Sequence, residues 1–285
     1  MKKLTSIICF LFLFSGFSTA EQIKQKFGKI FDVQGQVVIT TAKGDTIELK
    51  RDKHILFTVE EGDEIKTEKD GKILIVANKD GKGYYIMPSS VVSIKNNELD
   101  VEGTVEQKDG LNTFIPSDEG DIGGKIVGGI VYRSAARIKI IRPTNTAILE
   151  LTPELQWKVF RTVSQKFKLN IFSDDDVIYS AESETSSLRV PEGLLKYGQT
   201  YRWIVDGGLA TGISGGVFFI PEKEKIAEFK QKIAQNKPQN GDLPQTLSYI
   251  FFLMNNKLNI EAEKEIKILL KEFPHNEYLK ELAEE

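Results

Sequence analysis

From Phe27 to about Gln107, apolar and polar residues alternate in short runs, each closed by Gly, Asp or Asn. That is the pattern of half-buried strands separated by turns. "GKIFDVQGQVVITT" alternates around Gly35, "AKGDT" is a turn, and "TIELK" is a strand. "ILFTVEEGDEIKT" reads as strand, Gly-Asp turn, strand. "DGKILIVANKDGKGYYIMP" holds two buried runs split by "NKDGKG", and "SSVVSIKNNELDVEGTVEQ" closes as a hairpin over "NN". Turns recur at roughly 8–12 residues, the spacing of a sandwich, roll or barrel. Within this block Gly62 and Gly71 are candidates for positive φ, and Asp63 and Asp70 can cap turns. Ile65, Ile73 and Ile75 then alternate into a core.

Two further blocks follow. Residues 108–137 are glycine-rich, with Gly120, Gly123, Gly124, Gly128 and Gly129, and read as a linker. Strand-like alternation resumes over 138–221, where Trp157 on an early strand and Tyr201 and Trp203 on a late one are expected to fill the space between two sheets. Over 222–285 the period changes. Ile226, Phe229 and Ile233 share one helical face, as do Ala262, Ile266, Leu269, Leu270 and Phe273. Asn259 can cap the helix that Pro274 ends. The predicted fold class is mainly β and multidomain: a β domain over 27–107, a β-sandwich over 138–221 and a helical hairpin region over 222–285.

Three resemblances attach to these blocks. The first resembles the FecR domain family, a match carried by Gly35, Gly62, Asp63, Ile65, Thr67, Pro88, Ser89 and Val92 in order. The resemblance implies an extracytoplasmic β-rich domain. The founding type helps pass an iron-siderophore signal to a sigma factor, from a cytoplasmic segment placed before a membrane helix. Here the apolar segment begins at residue 4, so the resemblance implies the domain and its compartment, not that circuit. The second block is similar to a fibronectin type III-like or immunoglobulin-like sandwich, on Pro143, Leu155, Trp157, Leu195, Gly198, Tyr201, Trp203 and Val205. The third is similar to a single tetratricopeptide-repeat hairpin. One repeat buries its own face poorly. It is expected to pack on the preceding domain, on flanking helices, or on a protein partner.

Composition narrows the function classes. Lys2 and Lys3, the apolar run "LTSIICFLFLFSGF" and the small residues before Glu21 have the order of a secretory signal peptide over 1–20. The run is shorter than the roughly 20 residues a spanning helix needs. Cleavage would remove Cys9, the single cysteine, leaving 265 residues without disulfide or thiol chemistry. Net charge is −3, and −5 without the two leader lysines, with both signs interspersed. Nothing there favours nucleic acid or an anionic lipid surface.

The chemical inventory is thin. His54 and His275, the two histidines, fall in different blocks, His54 reading as exposed and His275 as a C-terminal or cap residue. No H-E-x-x-H or Cys ligand pattern occurs. "GISGG" around Ser214 has the outline of a nucleophile elbow, but leads into an apolar strand and not a helix. "SDDD", Ser173 to Asp176, lacks the spacing of a Ca²⁺ loop and reads as a turn. Arg133, Arg137 and Lys139 form a solvated basic patch. The expectation is an exported, non-enzymatic binding or scaffold protein of the cell envelope. It assigns no catalytic, cofactor or metal residues and no cofactor, and it places a protein partner at the helical tail. The alternatives are an extracytoplasmic signalling component and a carbohydrate- or peptidoglycan-associated envelope protein.

Overall fold

The structure, a computed structural model, describes residues 25–108, 111, 138–160, 166–208, 212–239 and 241–284. The leader and most of the glycine-rich segment, with Arg133 and Arg137, lie outside the described residues. The protein is mainly β, with four sheets and helices gathered at the C-terminal end. No helix among the described residues is long and apolar enough to cross a membrane.

The first block folds as β1 (Lys26–Gln34), β2 (Val37–Thr40), β3 (Thr46–Leu49), the single turn α1 (Arg51–His54), β4 (Thr58–Glu60), β5 (Glu64–Thr67), β6 (Lys72–Ala77), β7 (Gly83–Ile86), β8 (Val91–Lys95), β9 (Glu98–Glu102) and β10 (Val105–Lys108). They form two five-stranded sheets, ordered β10-β7-β6-β1-β4 and β3-β2-β5-β8-β9. Ile30, Ile73 and Ile75 of the first share one core with Val37, Ile39 and Ile65 of the second. Strand β6, "KILIVA", departs from simple alternation: every residue after Lys72 is buried. Ile73, Ile75 and Ala77 face the core between the sheets. Leu74 and Val76 face the opposite way, into a second core. A near-continuous apolar run is what a strand covered on both faces requires.

The second block contains β11 (Ile138–Arg142), β12 (Thr146–Ala147), β13 (Glu154–Val159), β14 (Phe167–Ser173), β15 (Asp176–Ser183), β16 (Ser187–Arg189), β17 (Gln199–Asp206) and β18 (Ile213–Ile220). A three-stranded sheet, β11-β13-β16, faces a five-stranded one, β12-β18-β17-β14-β15. Trp157 and Trp203 meet between them with ring centroids 6.3 Å apart. Both are buried. The Trp203 indole N–H donates to the Pro143 carbonyl at 2.9 Å, which satisfies the polar end of a ring otherwise in apolar surroundings.

The chain ends in α2 (Lys223–Asn236), α3 (Leu243–Asn255), α4 (Asn259–Glu272) and α5 (Glu277–Glu284). Helix α3 is apolar nearly all round, the composition of a helix covered on every side. Leu247, Ile250 and Phe251 join the core on the outer face of the first module's sheet, with Phe31, Leu74 and Val76. Tyr249 and Leu253 join another, with Ala147 of the second module and Phe229 of α2. The first module and α3 to α5 therefore share a core, and α2 adds Ile226 to the core of the second. The physical reason is the two-sided sheet, whose outer face is as apolar as its inner one and must be covered.

Candidate functional site

The helical wedge is where all three blocks meet. Toward the first module, the Phe31 and Phe251 rings stack with centroids 5.8 Å apart. Asn276 is fully buried there. Its Nδ2 donates to the Ile55 carbonyl at 3.2 Å, and its Oδ1 accepts the Leu279 N–H at 2.8 Å. One side chain thus caps the first turn of α5 and ties it to the loop after α1. Lys108 at the end of β10 lies 3.7 Å from the Asp242 carboxylate, at the start of α3. Leu111, three residues past the end of β10, is buried in the same core, inside the segment expected to be linker.

Toward the second module the contact is smaller and organised by one carbonyl. Lys257, in the α3–α4 turn, has φ 58°. Its carbonyl accepts the Ala147 N–H at 2.7 Å and the Thr146 hydroxyl at 2.9 Å. Asn259 does not cap α4 as expected. The preceding residue, Leu258, holds the cap position without a side-chain bond. Asn259 Nδ2 instead donates to the Asn145 carbonyl at 3.1 Å, so a residue with cap chemistry holds two elements together.

The motif residues of the first module all do structural work. Asp63 is buried, its Oδ1 accepting the Ala42 N–H at 2.9 Å and its Oδ2 the Glu60 N–H at 2.8 Å. Gly62 has φ +86°, as expected. Gly71 does not have a positive φ. It is glycine because a Cβ there would lie 2.1 Å from the Gln36 carbonyl oxygen. Gly35 faces it in the same way, with a Cβ position 2.0 Å from the Asp70 carbonyl oxygen, so two turns pack backbone to backbone. The buried Thr67 hydroxyl donates to the Met87 carbonyl at 2.6 Å and accepts the Ser90 N–H at 2.9 Å. Ser90, not Ser89, is the buried serine of that turn. Ser89 supplies a left-handed backbone, φ 58°, and donates its N–H to the Glu68 carbonyl at 3.1 Å.

The remaining candidates separate just as clearly. His54 is half-buried, not exposed, and its Nδ1 accepts the Lys50 N–H at 2.8 Å. His275 is exposed in the α4–α5 turn. Sequence distance hid the fact that their neighbours touch: Ile55 and Asn276 are hydrogen-bonded, and Phe57 meets Tyr278 edge to face at 5.9 Å. Among the described residues no group of three His, Cys, Asp or Glu side chains is placed to hold a metal ion. Ser214 lies within β18, paired with Val205, which is not an elbow. Asp174 and Asp175 form the two-residue turn between β14 and β15, with Asp174 at φ 53°. Lys139 lies on β11, paired with Lys158.

No family model matches the chain, and none of the curated proteins does. Among solved structures it is similar to one described as a cell surface anchoring domain, at 22% identity over 25% of this chain and 88% of that one, with a TM-score of 0.22.

Proposed function

We propose that this chain is an exported, non-enzymatic scaffold of the cell envelope, in which helices lock two β modules into one bracket. The observation that carries the reading is the wedge. Helix α3 is covered by the first module on one side and by a core shared with the second on the other. The packing of the tail thus serves to position two sandwiches. Support for the module types comes from geometry. The first module has the FecR-type residues on turns and in the core. In the second, the strand order is that of a fibronectin type III-like sandwich whose first strand is divided between sheets. There the Tyr201 hydroxyl accepts the Lys196 N–H at 2.8 Å, the corner such sandwiches use. The tail fits a single tetratricopeptide-like hairpin that replaces its missing neighbours with β-sheet.

The non-enzymatic reading is supported by the use made of Asp63, His54, Thr67, Ser90 and Asn276, which serve as turn caps, hydrogen-bond bridges or a helix cap. A protein partner remains part of the proposal. Because the apolar faces of α3 and α4 are covered within the chain, that partner meets the outer, polar side of the tail or the open β faces. The test is to express the full chain with its own N-terminus and fractionate the cells. A mature protein beginning near Glu21, outside the cytoplasm and sedimenting with envelope material in high salt, is the expected result. An unprocessed protein in the cytoplasm would overturn it.

A further inference from the structure

The tail's two contacts are unequal. Against the first module it lays a broad apolar surface, with Phe31, Leu74 and Val76 beneath Leu247, Ile250 and Phe251. Against the second, α2 sets Ile226 into the sandwich core, while α3 and α4 rely on a smaller cluster around Ala147 and on the bonds at Lys257 and Asn259. Into this smaller contact the chain places a carboxylate. Glu261 lies in the first turn of α4, between Ile260, which packs against the second module's core, and Ala262, which belongs to the shared cluster. Its Oε2 is buried and has no hydrogen-bond partner.

The charged and titratable groups around it come from every neighbouring element. The second module contributes Glu150, and α4 itself contributes Lys264. Helix α3 contributes Tyr249, whose phenol is pushed up to about 12 by burial first and then by Glu265 and Glu261. Glu265 is held by Lys237, just past α2, at 3.2 Å. Burial raises the Glu261 carboxyl above the ordinary range. Its own backbone N–H and Lys264 oppose that rise, and Glu150 adds to it. An ionised carboxylate with an orphan oxygen in a desolvated contact weakens that contact more than the neutral acid does.

We propose that α3 to α5 are a fixed part of the first module and that α3 and α4 form a releasable clamp on the second, with Glu261 as the acid-sensitive latch. The sign follows from the direction of the shift. A carboxyl raised in the docked state opposes docking in full at pH above its docked value, and that opposition is gone only once pH falls below the ordinary value of 4.5. The clamp therefore tightens in mild acid and loosens toward neutral and alkaline pH. This goes beyond the scaffold reading and does not depend on where the protein resides.

Hydrogen exchange on the full chain tests it, at about pH 4, below the ordinary carboxyl value, and at about pH 7.5, with intrinsic rates corrected. The reporting amides are Ala147, which donates to Lys257, and Asn259, which donates to the Thr146 hydroxyl. In the wild type they should be several-fold better protected at the lower pH, while amides of β6 in the first module keep their protection. Glu261→Gln should be protected at both pH values, and Glu150→Gln should reduce the difference. Equal wild-type protection at the two pH values would overturn the latch without any variant. So would a Glu261→Gln protein that keeps the wild-type pH dependence.

Discussion

Phe251→Ala tests the shared core most directly. Phe251 is on α3 and Phe31 on β1, 220 positions away, yet the rings stack at 5.8 Å and both are buried. Truncating a buried Phe costs about 3–5 kcal/mol, the lost transfer energy plus the cavity left behind. If α3 completes the first module, that loss falls on the strands beneath it. At about 1.4 kcal/mol per factor of ten, globally exchanging amides of β1 and β6 should exchange about two to four orders of magnitude faster. The second module supplies an internal control, because Trp157 and Trp203, the two tryptophans, are both buried in its core. Tryptophan emission during urea unfolding then reports that module alone, and its midpoint should move far less. A double-mutant cycle with Phe31→Ala should return a coupling of about 0.5–3 kcal/mol. A coupling near zero, or β6 protection unchanged by Phe251→Ala, would refute the claim that the helices belong to the first module's core.

Further outcomes follow from single residues. Asn276→Ala should destabilise the first module by about 1–3 kcal/mol in urea unfolding, since it removes a cap and leaves the Ile55 carbonyl without its donor. Gly35→Ala should be far more damaging than Gly44→Ala. Both have positive φ, but only the first drives a Cβ onto a backbone oxygen, whereas the second points into open space and should cost about 1 kcal/mol. The Glu228 carboxyl on α2 is lowered to about 2, chiefly by hydrogen bonds from Lys225 and then Lys232. A depressed acid stabilises above its unfolded value and loses that contribution as pH falls through the folded one. Helical circular dichroism should therefore show α2 loosening in strong acid in the wild type, with Glu228→Gln removing that step.

Strand positions, most turns and the aromatic core of the second module were legible because local pattern encodes them. The two asparagines at 96 and 97 do form the hairpin turn, at φ 54° and 58°. In "KILIVA" the alternation of Ile73 and Ile75 into a core was legible, but burial of Leu74 and Val76 on the other face was not. What covered the second side was not legible. Amphipathic periodicity says that a face must be buried, never against what, so the preceding domain, flanking helices and a protein partner all stayed open as its cover. Gly71 was misread for a related reason: glycine serves both left-handed backbone and close approach, and only the opposing Gln36 carbonyl distinguishes the two. Asn259 was expected to cap α4 and bridges to Asn145 instead, because capping depends on where a helix starts to within a single residue.

The tail's place in the fold bears on how the chain is made. A ribosome releases β1 and β6 well over a hundred residues before α3 and α4 exist, so Phe31, Leu74 and Val76 must wait uncovered through most of synthesis. A bare apolar sheet face is a natural client surface for a holdase chaperone and a route to aggregation. C-terminal truncations of this protein should therefore yield insoluble material instead of a tidy pair of sandwiches.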